Sequence, residues 1–362
     1  MKNFNLTGIV SFFLSSPLIQ IVPLKGGHIH DSWMVTTIDS GKYILQRINT
    51  NVFPDPDGLM MNIQTVCNYF KENFPEEKNL VLVPTRDDLP FFHSKNGNAW
   101  RMYAYIDHAA DDQKIDRLSR YFEAGKVTGK FNLQLANLPV NKVTTLLQDF
   151  HNTPRRYQML MEMIEHLPST SMESCRSEIS WLQQHSQYLG DIWTALSQTL
   201  IPWRITHNDT KMENILFDKE SGQGICLIDL DTVMSGNLLF DFGDAIRSIT
   251  NSSFEDEPNI ENVIFRFDIF EAYTNGFIAS SFPILSPDEI ALLPIAPYII
   301  TIEQGIRFLS DYLSGNKYYK IDYPHQNLIR SRTQFKLAQE MIANKVRMKV
   351  FIHQIVRMYE DH

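Results

Sequence analysis

The chain has 362 residues, 43% hydrophobic and 21% charged, and its 33 basic and 42 acidic side chains leave a net charge of −9. That length suits two domains or one large two-lobed one, and the apolar content excludes a disordered or fibrous chain. The acidic balance supplies no global basic field, so neither nucleic acid nor a membrane surface is an expected partner. Cys67, Cys175 and Cys226 are odd in number and widely spaced, and read as reduced thiols rather than a metal cluster.

The apolar run Ile9–Leu14 behind Lys2 is too short for a signal segment and reads as a first amphipathic helix. The stretch 290–302 contains Pro294 and Pro297 and is too short to span a bilayer. A soluble, cytoplasmic protein is the expectation. Short β-rich segments predict strands over 18–23, 33–37, 42–48, 80–84 and 99–106. Between them, Met60, Ile63, Val66, Cys67 and Phe70 recur at helical spacing and predict one helix over 59–70. Beyond Asp107 the pattern is helical: 115–131, 141–150, 155–165, 175–200, 260–282 and a long last helix from 333 to 359. One hairpin interrupts it, 215–217 and 225–229 around Gly222-Gln223-Gly224. The expected domains are 1–107 and 108–362, joined by a connector at 107–113. The basic stripe Lys336, Lys345, Arg347, Lys349 and Arg357 reads as a solvated face.

The stretch 205–232 carries the chemistry. His207-x-Asp209 is followed by Asn214 five residues after the aspartate and by Asp229 at the end of the hairpin. Phosphoryl transfer needs a carboxylate beside the attacking hydroxyl, plus an amide oxygen and a second carboxylate on the Mg²⁺ that bridges the phosphates. A loop followed by a short hairpin brings three such oxygens together. Asp231 reads either as a further metal-shell carboxylate on the same side of the strand as Asp229, or as a hydrogen-bonding partner for the loop. Gly26-Gly27-His28 lies between two strands, where a glycine turn serves as a plain hairpin or lets backbone amides approach a phosphate; its place in the first hairpin favours the latter.

With H-x-D-x-x-x-x-N and I-D-x in place, the chain resembles the aminoglycoside phosphotransferase and choline kinase superfamily. That resemblance implies an α+β, protein-kinase-like fold, with a small β-sheet lobe, a large mostly helical lobe and the active site between them. It implies Asp209 as catalytic base, Asn214 and Asp229 as metal ligands, and ATP and Mg²⁺ as cofactors. The nucleotide would rest on Gly26, Gly27 and Gln46, and on the backbone of a hinge around Tyr105 and Ile106. Tyr43–Gln46 aligns with the kinase strand that carries a phosphate-binding lysine, but that position holds Gln46. By alternation Arg47 faces the other way, and the facing helix offers Gln64 rather than a glutamate. Either another cation substitutes or the protein is a nucleotide-binding regulator without turnover. Asp241-Phe242-Gly243 spells the DFG of protein kinases, but 32 residues after Asp209 it reads as a turn at a helix start where Asp241 caps backbone N–H groups.

Longer stretches, GGHIHDSW, YILQRINTNVFPD, ITHNDTKMENIL, IDLDTVMSGNLLFDFGDAIR and GIRFLSDYLSGNKYY, look like the bacterial N-acetylhexosamine 1-kinases, which phosphorylate GlcNAc or GalNAc on the anomeric hydroxyl. In that resemblance Gln46 is a family trait. It implies a small-molecule sugar substrate held by Asp209, Arg307 and Tyr318, with His28 reaching in from the small lobe and Glu303 as a further candidate. Without it, Arg307 and Tyr318 read as a helix-surface pair. A polycationic aminoglycoside would instead need a crowded acidic pocket, for which Glu255-Asp256-Glu257 is the dense acidic run nearby. Choline and other small alcohols stay open as acceptors.

Overall fold

The computed structural model describes residues 4–24, 29–109 and 117–360. Gly26, Gly27 and His28, and the connector from residue 110 on, lie outside the described residues. The amino-terminal strands are β1 (Leu18–Pro23), β2 (Asp31–Thr37), β3 (Lys42–Arg47), β4 (Leu82–Val83), β5 (Phe92–His93) and β6 (Ala99–Ala104). They form one antiparallel sheet in the order β1-β2-β3-β6-β4, with β5 also on β6.

Period-2 alternation assigns its two faces. Val35, Leu45, Trp100 and Met102 bury one face with Val10 and Phe13 of the amino-terminal segment, where helix α1 (Leu6–Val10) lies. Ile44 packs on the other face, in the larger core that takes in helix α2 (Pro56–Asn73). Asp55 caps α2, accepting from the Gly58 N–H at 2.9 Å, and Pro56 occupies the first turn, where its missing N–H costs nothing. Gln46 stands directly opposite Arg101 on β6. Arg47 does turn to the α1 face, over the Phe4 ring.

The remainder is mostly helical: α3 (Arg117–Leu135), α4 (Thr153–His166), α5 (Arg176–Gln184), α6 (Asp191–Ser197), α7 (Leu238–Ile249), α8 (Phe267–Ser281), α9 (Pro287–Leu292), α10 (Ala296–Leu313), α11 (Gln326–Ala343) and α12 (Lys345–Glu360). Between α6 and α7 lie β7 (Arg204–Thr206), β8 (Ile215–Phe217), β9 (Gly224–Leu227) and β10 (Met234–Gly236). β7 pairs with β10 and β8 with β9, both antiparallel. The fold is therefore α+β, with a small sheet lobe and a large helical lobe. No helix among the described residues is long and apolar enough to cross a membrane.

α3 and α8 cross with almost no gap. A Cβ on Gly276 would stand 1.9 Å from the Phe122 carbonyl oxygen, and one on Gly125 2.1 Å from that of Tyr273. Both obstacles are backbone, so the helices must part. Gly276→Ala is expected to destabilise the protein by about 1–3 kcal/mol, read as a lower urea midpoint at unchanged slope; an unchanged midpoint would show that the crossing yields freely.

Several expected helices differ. The segment over 141–150 is not one: Asn62 of α2 clasps both the N–H and the C=O of Thr144, at 2.8 Å each, and holds that backbone away from helical bonding. The expected helix over 175–200 breaks into α5 and α6 around the turn ending at Gly190, and the last breaks at Asn344 between α11 and α12. The helix expected at 260–282 begins only at Phe267, because Asn251 and Phe265 pair in a β-bridge. The first helix ends at Val10, earlier than its apolar run suggests, and Phe13 is spent on the sheet.

Candidate active site

The loop after β7 carries His207, Asp209 and Asn214, and its shape is set by buried bonds. Asn208 takes a left-handed backbone, φ 64°. His207 receives the Asp209 N–H on Nδ1 at 3.3 Å and reaches the Ile228 carbonyl through Nε2 at 2.9 Å, tying the loop to the hairpin. From beneath, Asp241 of α7 accepts the N–H groups of His207 (3.1 Å) and Asn208 (2.7 Å) and the amide of Asn132. Asp241 thus receives backbone N–H groups, but those of the loop; the cap of α7 itself is Asn237. Burial raises the Asp241 carboxyl from its ordinary value, against the pull of His207. Asp244, one turn on, accepts the Thr210 N–H at 3.1 Å and pairs with Arg247 at 2.8 Å.

Asp209 is half-buried, with Lys211 Nζ at 2.8 Å. Burial alone would lower the Lys211 ammonium, but Asp209 and Asp244 outweigh it. Sequence reasoning missed Lys211; its place two residues after the aspartate was the available signal. Asn214 donates its amide N–H to the Asp209 carbonyl at 2.8 Å, which leaves its side-chain oxygen for another partner.

Asp229 lies just past β9 with φ 61°, a left-handed conformation costing a non-glycine residue ~1–3 kcal/mol. Its carboxylate has no hydrogen-bond or ion-pair partner among the described residues, and burial, then the repulsion of Asp231, raises it well above the ordinary carboxylate range. An unpartnered carboxylate and a free amide oxygen at the root of one hairpin fit a Mg²⁺ site, since that ion takes one or two carboxylates and completes its shell with phosphate oxygens and waters.

Asp231 does not share a strand face with Asp229: the chain enters a 3₁₀ turn, 230–232, that swings it toward the sheet lobe. There Arg101 grips both its oxygens (Nη2 to Oδ2 3.0 Å) and His30 Nε2 bonds Oδ2. Burial works against the Asp231 carboxylate, but the Arg101 guanidinium outweighs it and holds the carboxyl well below the usual range. Of the two sequence readings of Asp231, the hydrogen-bonding partner is the one its contacts support. Its partner is the other lobe rather than the loop.

Gln46 accepts from Arg101 Nε at 2.9 Å and donates to Ser32 Oγ at 3.1 Å, so its neighbour is Arg101 and not Gln64 of α2. In the hinge, the Tyr105 N–H is spent on Lys42 O, and His108 donates to the Ile106 carbonyl at 2.7 Å.

On the helical side, Arg307 of α10 lies over the rings of Phe150 and Tyr319 and donates to Gln304 Oε1 at 3.0 Å; the rest of its donor fork has no acceptor among the described residues. Tyr318 stands on the rim, 62% exposed, beside Tyr319. Buried Asp311 accepts the N–H groups of residues 317, 318 and 319 and sets that loop. Glu303 is a correction. It is 1% exposed, with its oxygens taken by Thr153 Oγ1 (2.6 Å) and His151 Nδ1 (2.9 Å), while His151 Nε2 reaches the Asn208 carbonyl at 3.1 Å. Glu303 therefore braces the loop from behind rather than facing the cleft. Tyr319, overlooked beside Tyr318, is the ring stacked under Arg307 and bonded to Gln304.

The H-x-D loop, Asn214 and the hairpin aspartate thus lie where the helical lobe meets the sheet lobe. Residues 20–263, more than half of the chain, match the model of the phosphotransferase enzyme family APH, and the chain belongs to that family. Among solved structures it is similar to a microcompartment-associated aminopropanol kinase (15% identity, 94% of this chain and 97% of that one, TM-score 0.64). It is similar also to a spectinomycin phosphotransferase seen with ADP and spectinomycin (14%, 95% and 99%, 0.60). The ethanolamine kinase of Plasmodium vivax is a third (11%, 88% and 82%, 0.55). At these identities the likeness is one of fold.

Proposed function

We propose that the protein is an ATP- and Mg²⁺-dependent sugar kinase that transfers the γ-phosphoryl group to the anomeric hydroxyl of an N-acetylhexosamine, GlcNAc or GalNAc, giving the sugar 1-phosphate. Asp209 orients the hydroxyl and accepts its proton, and Lys211 beside it screens the incoming phosphate charge. Asn214 and Asp229 hold the metal, which when bound neutralises the phosphate oxygens. The hinge at Tyr105 and Ile106 and the turn at Gly26 and Gly27 receive the nucleotide, with Gln46 lining its site. Arg307 and Tyr318, with His28 from the sheet lobe, grip the sugar.

The observation that carries the acceptor class is charge. Asp209 pairs with Lys211, Asp244 with Arg247, and Glu303 with His151. Of the acidic run, Glu255 lies against Arg247 and Arg330, Asp256 accepts from Tyr323 and Gln326, and Glu257 accepts from Asn259 and Asn262. Among the described residues of these clusters, Asp256 and Glu257 are met only by neutral donors and keep their charge, while Asp209, Asp244, Glu255 and Glu303 face basic side chains. That is a sparse acidic surface for a polycation, whereas Arg307 keeps donors for neutral oxygens.

An ADP-release assay over GlcNAc, GalNAc, glucose, choline, ethanolamine and kanamycin tests the reading, with phosphorus NMR locating the new phosphate. Turnover on an N-acetylhexosamine with a phosphate on C1 is the expected result. Turnover confined to an amine or aminoglycoside would overturn it, and silence on every alcohol would favour a nucleotide-binding regulator.

A further inference from the structure

We propose that Arg101, His30 and Asp231 form a latch by which the sheet lobe positions the turn that carries Asp229, with Arg101 as the small-lobe cation beside Gln46 that serves this positioning role rather than the phosphate contact of a kinase lysine. Arg101 stands across the ladder from Gln46, and Gln46 itself aims it by accepting its Nε–H. The guanidinium is 1% exposed and its fork is spent on Asp231. It has no face left for a phosphate, so it acts through Asp231 as a positioning residue.

His30 is fixed in kind. Its Nδ1 accepts the Asn49 N–H at 3.0 Å, which places the proton on Nε2, facing Asp231. All these donors belong to the sheet lobe, while their acceptor belongs to the turn 230–232. The far side of that turn is bolted to the catalytic loop: Thr232 Oγ1 donates to the His207 carbonyl at 2.7 Å, and Asn208 Nδ2 donates to the Thr232 carbonyl at 2.9 Å. The left-handed Asp229 is the link between β9 and this doubly held turn. Closing the latch sets the direction of its carboxylate; opening it frees the backbone to leave a conformation that aspartate does not favour. The partner that a kinase lysine finds on a small-lobe helix is here drawn from the opposite lobe, so seating the cation and joining the lobes are one event.

The purpose of the latch rests on the metal role proposed for Asp229; the test therefore reads the latch and the metal separately. Arg101→Gln, Arg101→Lys and the relocated cation Gln46→Lys/Arg101→Gln are compared with the wild-type chain by hydrogen exchange and by binding of a fluorescent ATP analogue with and without Mg²⁺. For Arg101→Gln, amides 229–233 are expected to exchange about tenfold faster while those of α8 keep their rates. The affinity gained on adding Mg²⁺ should fall about tenfold, and the Mg²⁺-free affinity should stay within about twofold.

Arg101→Lys keeps the charge without the fork and is expected to lose about threefold in each readout. It decides the matter if Arg101→Gln does not fold. Relocating the cation should recover part of the Mg²⁺-dependent gain. Wild-type exchange at 229–233 in Arg101→Lys or Arg101→Gln would overturn the latch. Faster exchange with an intact Mg²⁺-dependent gain would keep the latch and overturn its hold on a metal ligand at Asp229. If the wild-type protein itself gains nothing from Mg²⁺, the metal reading falls, and the exchange rates alone still decide whether the latch exists.

Discussion

Replacing Asp209 by asparagine is expected to lower kcat by about 10²–10⁴, the usual worth of a positioned general base. Asparagine keeps the size of the side chain and can still meet Asn214 and Lys211, so the loop retains its shape. It cannot take a proton from the acceptor hydroxyl. The loop backbone hangs from Asp241, His207 and His151, none of which the substitution touches. Affinity for ATP with Mg²⁺ should therefore hold within about twofold, since uniform binding is unaffected. Steady-state ADP release and nucleotide titration measure the two quantities, and a kcat within about tenfold of wild type would remove Asp209 as the base.

The second large effect concerns Asp229. Asp229→Ala is expected to abolish the gain in nucleotide affinity that Mg²⁺ confers, leaving the metal-free affinity in place; an unchanged Mg²⁺ response would assign the ion to another carboxylate. The metal-free protein should meanwhile become no less stable. With no cation present the ionised carboxylate is buried and faces the repulsion of Asp231. Its folded value lies above its unfolded one, so the ionised form opposes folding increasingly as pH rises from the ordinary carboxylate range through the folded value. Asp229→Asn, the closer isostere, should melt at or above the wild-type temperature at neutral pH and gain nothing at low pH, a profile that calorimetry across pH would read directly.

Much of this was legible in the residues. The alternation of Lys42–Arg47 placed Gln46 and Arg47 on opposite faces, and their contacts agree. The spacing of His207, Asp209, Asn214 and Asp229 located a loop and hairpin that do meet. Asp231 was harder, because alternation assumes a continuing strand and the chain leaves β geometry at Asp229. Arg101 left a local signal that passed unread: a cation within the apolar run Ala99-Trp100-Arg101-Met102-Tyr103 must find a buried partner. What spacing could not give was that partner, 130 residues away. Glu303 misled for a related reason: one turn from Arg307 it shares a helix face by count, yet His151 and Thr153 draw its carboxylate behind the loop.

That pairing on α10 has a further consequence. Glu303 supports the catalytic loop through His151, and Arg307, the proposed grip on the acceptor, is four residues along the same rigid rod, a rise of about 6 Å. The span between the proposed grip and the proposed base is then gauged by one helix and the His151 link from Glu303 to the Asn208 carbonyl. On the roles proposed for Arg307 and Asp209, an acceptor would be admitted by the distance between its held oxygens and its reacting hydroxyl, and alcohols of equal polarity but different reach would be sorted by length before any chemistry begins.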